Sequence, residues 1–131
     1  MAPWGGGPAP VASVLVDVHA GLAWAVVAAN AVAGVWALVA HRVPSARGRA
    51  LWWWTVAAEV AIFVQVGVGV ALVAGEGRDA PDLHQFYGFV AIVAVAILYS
   101  YRQQLEAARH LLYGAGGLFL AGLAVRAMLV W

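Results

Sequence analysis

Two triplets, Asp17-Val18-His19 and Asp82-Leu83-His84, set an imidazole two residues after a carboxylate at two distant points of the chain. Two imidazoles that face each other across a helical bundle can ligate both axial positions of a haem iron. The face that carries His84 continues through Gly88, Ala91 and Val95, side chains small enough to leave room for a porphyrin edge. Arg126 lies on the Gly122, Phe119 and Ala115 face of the last apolar segment, at similar depth, where a guanidinium can pair with a haem propionate. The competing reading is that both histidines cap helix starts near the headgroups and that Arg126 snorkels outward. A centre built from both carboxylates and both imidazoles is disfavoured, because residues two apart on a helix point about 200° apart. Asp82, next to Pro81, suits a first-turn carboxylate that satisfies backbone N–H groups. No metal site is therefore expected.

A second layer of polar residues, Asn30, Glu59 and Gln65, falls in the middle of apolar stretches, where an ionisable side chain is costly and demands an explanation. Rise along the helix places Glu59 about 12 Å from Leu51, near the level of Asn30. A protonated Glu59 hydrogen-bonded to Asn30 would be structural glue. An ionisable Glu59 would instead serve proton or cation passage. Glue is favoured, since no continuous polar path crosses the middle of the chain. Gln65 lies about 120° from Glu59 on its helix and is expected to face another helix or subunit. His41 and His110, at the other ends of their segments, read as interfacial residues.

What must position these groups follows from composition. Of 131 residues, 65% are hydrophobic and only 10% charged, against roughly a half and a quarter in soluble domains. This leaves nothing from which to build a nucleotide-binding domain, a soluble enzyme core or a nucleic-acid module. Cysteine is absent, which removes thiol catalysis, iron–sulfur clusters and thiolate-bound metal. There is no Ser/His/Asp grouping and no H-E-x-x-H motif; no catalytic residue is assigned, and the chain reads as non-enzymatic. A net charge of +1 argues for no polyanionic partner.

A spanning helix needs about 20 apolar residues, and four such segments are legible at about 11–40, 51–74, 81–101 and 110–131, after a flexible tail over 1–10. The tail has no basic residue and the first apolar stretch is too long for a signal peptide, so that segment is read as a retained span. Short connectors make successive helices antiparallel neighbours, so the expected fold is all-α, an integral membrane up-down-up-down four-helix bundle over 11–131. Arg42, Arg47 and Arg49 in the first connector and Arg102 and Arg109 in the third, against Arg78 among three acids in the second, predict odd connectors inside and both termini outside. Trp52, Trp53, Trp54, Tyr99, Tyr101 and Tyr113 would form the inner aromatic belt, with Trp131 at the outer edge. Gly67 with Ala71, Gly114 with Gly117 and Ala121, and Gly122 form small-residue stripes for packing within the chain, onto a membrane protein partner or onto a second copy.

Histidines near the same ends of parallel helices, together with Val64-Gln65-Val66-Gly67-Val68-Gly69 and then His84-Gln85-Phe86-Tyr87-Gly88, resemble haem-bearing bundles such as haem A synthase halves and membrane cytochrome b subunits. The resemblance covers about a quarter of the chain and implies haem b on His19 and His84. Phe86-Tyr87-Gly88, Tyr99-Ser100-Tyr101-Arg102 and Leu111-Leu112-Tyr113-Gly114 also look like small membrane proteins of high-GC actinobacteria, which implies a bacterial inner membrane and no activity. Three functions are thus open: an accessory or assembly subunit of a larger membrane complex, which is preferred; a b-type haem electron carrier; and a proton or small-ion pathway through Glu59.

Overall fold

The computed structural model describes residues 10–131. The tail expected over 1–10 lies outside the described residues, except that Pro10 opens the first helix. Helix α1 spans Pro10–Arg42, α2 Arg49–Val70, α3 Asp82–Tyr101 and α4 Arg109–Leu129. All four are long and apolar enough to cross a membrane. The expected all-helical class and the four segments hold to within a few residues at each end.

Chain chemistry sets the ends. Pro44 cannot continue α1, and the chain folds into a short 3-10 turn over Pro44–Ala46. Arg47 then turns back onto the open end of α1, donating from Nε to the Ala40 carbonyl at 2.6 Å and from a terminal nitrogen to that of His41 at 3.0 Å. These bonds satisfy carbonyls that the helix itself leaves unpaired. At its far end α2 widens into a π-helical turn over Ala71–Gly75. Pro81 precedes α3, and a second 3-10 turn, Glu106–Ala108, leads into α4.

The helices pack in cyclic order, with α1 and α4 in the most extensive contact, α1–α2 and α3–α4 next, and α2–α3 meeting only thinly. Thus α1 and α3 lie on one diagonal and α2 and α4 on the other. The inward face of α1 is Val26, Asn30, Ala33, Ala37 and Ala40, spaced alternately four and three residues apart. Leu51, Thr55, Ala58 and Ile62 repeat that spacing on α2. The outside is apolar instead: Trp24, Val35, Phe63, Phe89, Phe119 and Leu129 are all exposed.

Glycines allow the α1–α4 contact. A methyl group on Gly117 would lie 2.8 Å from the Gly34 backbone, and one on Gly34 would lie 2.7 Å from the Leu118 nitrogen. Backbone against backbone leaves no space for any side chain. The expected Gly114, Gly117 and Ala121 stripe is therefore used within the chain, whereas Gly67 and Gly122 face open space. The aromatic belt is divided. Trp53, Trp54, Tyr99 and Tyr101 point outward, but Tyr113 is buried and Trp52 packs inward against it, ring centres 5.5 Å apart.

Candidate functional site: a histidine pair across the bundle

His19 sits nine residues into α1, about 14 Å from its start. His84 occupies the first turn of α3. The diagonal arrangement brings the two half-buried imidazoles together, with ring centres 5.9 Å apart and planes at 70°. Neither caps a helix start. His19 lies too far along α1, and the His84 Nδ1 faces the Ala127 carbonyl of α4 at 2.9 Å. That bond requires the proton on Nδ1, which leaves Nε2 with its lone pair free.

Each histidine is held by a neighbouring helix, His84 through its ring and His19 through its backbone. Gln65 of α2 donates from Nε2 to the His19 carbonyl at 2.8 Å, so Gln65 faces another helix as its position on α2 predicted. One turn further on, Gly69 lets the His19 ring lie against α2, since a methyl group there would come within 3.2 Å of the imidazole Cε1. His19 Nδ1 and Gln65 Oε1 are both buried and lack a hydrogen-bond partner. Buried polar atoms of this kind are uncommon and mark a place where a ligand or water belongs. Trp131 covers the pair, 4.8 Å from His84 and 6.5 Å from His19 between ring centres. Arg126 is exposed on α4, its Nε donating to the Tyr87 hydroxyl at 3.3 Å, one turn beyond His84.

The carboxylates of the two triplets do not join the imidazoles. Asp17 is exposed because α1 begins upstream of it, so Asp17 and His19 diverge as helical geometry demands. Asp82 is exposed in the first turn of α3. No group of three or more potential metal-ligating His, Asp or Glu side chains occurs among the described residues.

The middle layer departs from expectation at one residue. Asn30 is buried and donates through Nδ2 to the Val26 carbonyl at 2.9 Å and the Ala58 carbonyl at 3.2 Å. Its partner on α2 is thus the backbone of Ala58, and no bond to the Glu59 side chain forms. The reason is rotational: Ala58 and Glu59 are about 100° apart around α2, so with Ala58 buried against α1 the Glu59 side chain points away from Asn30.

Two imidazoles bound to opposite sides of one metal ion, at metal–nitrogen bonds of about 2 Å, have ring centres about 6 Å apart. The His19–His84 separation matches that spacing. Just inside the pair, Gly69 on α2 and Gly88 on α3 carry no side chain, and the α2–α3 seam is the thinnest in the bundle. Of a bis-imidazole centre the described residues thus supply two donors at the matching separation. No known protein family, curated protein or solved structure matches this chain.

Proposed function

We propose that this protein is a small multi-pass protein of the bacterial cytoplasmic membrane that holds a b-type haem between His19 and His84 and carries single electrons. The observation that carries the reading is the pairing of two half-buried imidazoles, 65 residues apart in sequence, at 5.9 Å across the bundle. A haem held there supplies a one-electron iron couple. The chain's own residues do the rest. The Ala127 carbonyl orients His84 and presents Nε2, Gln65 anchors the backbone of His19, and Trp131 packs edge-on against the His84 ring. Arg126, held beside Tyr87, would be the residue to pair with a haem propionate.

The test is an absorption spectrum of the full chain, purified from a haem-replete host, oxidised and then reduced with dithionite. A Soret band and a b-type reduced spectrum are expected. His19→Ala and His84→Ala should each abolish them, and His41→Ala and His110→Ala should leave them unchanged. Absence of any Soret band overturns the reading.

An accessory role in a larger membrane complex has its own support. Gly67 on α2 and Ala71 in the π-helical turn after it form an exposed small-residue stripe that no helix among the described residues covers, a surface on which a partner helix can pack closely. This reading is compatible with haem binding, because it uses the outside of α2 and not its inner face.

A further inference from the structure

The opposite end of the bundle holds a concentration of positive charge that the histidine pair does not use. Arg47, in the first connector, bonds the His41 carbonyl at the end of α1, and Arg109 and His110 open α4 beside Trp52 of α2. Arg102 stacks on Tyr99 at 3.6 Å and Arg109 on Trp52 at 4.5 Å. Trp52 also lies 5.3 Å from the His110 ring. The guanidiniums thus go to aromatic faces or, for Arg47 and Arg102, to backbone carbonyls. Arg109 Nε and His110 Nε2 are buried and have no hydrogen-bond partner. Like charges gathered around unpaired nitrogens are unfavourable by themselves, and an anion with several acceptor oxygens relieves both problems.

The surroundings identify the anion. The cluster lies at the ends of three spanning-length helices, at the level of exposed Trp53, Trp54, Tyr99 and Tyr101, residue types that collect at the membrane–water boundary. Beside it Arg49, Trp52, Trp53 and Val56 line a shallow, mainly apolar depression on the outside of α2. A basic site beside an apolar depression suits a phosphate that carries an acyl chain. We infer that Arg109 and His110, with Trp52, form a binding site for the headgroup phosphate of an anionic phospholipid, whose chain lies along the Trp52–Val56 face of α2.

The full chain, delipidated in neutral detergent, would be titrated with phosphatidylglycerol, phosphatidylcholine or inorganic phosphate, and bound lipid counted by native mass spectrometry. Phosphatidylglycerol should bind at least about fivefold more tightly than phosphatidylcholine, and Arg109→Gln should weaken it about fivefold. Arg78→Gln, at the other end of the bundle, should have no effect. If Arg109→Gln does not fold, His110→Gln carries the same comparison. Equal binding of the two lipids overturns the inference, as does an equal loss in Arg78→Gln. Competition by inorganic phosphate at concentrations equal to the lipid also overturns it, because that outcome means a site for free anions.

Discussion

Asn30 uses its amide to tie α1 to the backbone of α2 through the Ala58 carbonyl while also bonding Val26 on its own helix. A buried interhelical bond of this type contributes on the order of 1 kcal/mol. Asn30→Ala should therefore lower stability by about that amount, measured by unfolding in mixed detergent. Glu59 is not part of this bond, so Glu59→Gln and Glu59→Leu should both leave it intact; a loss in Glu59→Leu equal to that in Asn30→Ala would show that the side chains do pair. The depth of these residues was legible from helical rise alone. Rotation was not, since the sequence carries no mark of which of two adjacent α2 residues, Ala58 or Glu59, meets Asn30. The same limit applied to Trp52 and Tyr113, whose types suit a belt but whose rings fill the α2–α4 diagonal.

At the scale of elements, the α1–α4 seam depends on two facing glycines. Gly34→Val and Gly117→Val each force backbones apart, and overpacking of this kind costs about 1–3 kcal/mol or more. Thermal unfolding in detergent should fall clearly for both, whereas Gly67→Val, which meets nothing within 4 Å, should unfold like the parent. A Gly67→Val variant that folds normally yet no longer co-purifies with a membrane partner would support the accessory role. The Gly114, Gly117 and Ala121 stripe was visible in the sequence as a packing surface; its partner Gly34 was not singled out, because a lone glycine in an Ala- and Val-rich helix has no distinguishing neighbour. The signal was available in part, since Gly34 lies four residues after Asn30 on the same side of α1.

For the whole molecule, the outside is as apolar as the inside: Trp24, Phe63, Phe89 and Phe119 are exposed, while Leu51, Ile62, Leu98 and Leu120 share the interior with alanine, glycine, Asn30 and Thr55. The arginine distribution makes a topological prediction. Reporter fusions after Arg47 and after Glu76 should give opposite readouts, with Arg47 on the cytoplasmic side. External exposure of the Arg47 fusion would reverse the orientation and move the basic cluster to the outer leaflet. The lipid test would then report on that leaflet, and the histidine pair would lie near the cytoplasm.

Hydrophobicity, segment length and connector charge are one-dimensional properties, so the sequence by itself determined four apolar helices, their antiparallel order and the depth of each polar residue. It offered His19 and His84 as a pair only as one of two readings beside helix capping, since parallel helices with imidazoles near the same end can be counted along the chain. Which side of each helix turns inward was decided only in three dimensions. Interhelical contact surfaces are set jointly by side chains from distant segments: the Gly34–Gly117 approach sets how α1 meets α4, and the Ala58 carbonyl takes Asn30 in place of Glu59. The 5.9 Å meeting of the imidazoles and the gathering of Arg109 and His110 against Trp52 follow from those rotations. Uniformly apolar helices have too weak an amphipathic pattern to announce them in advance.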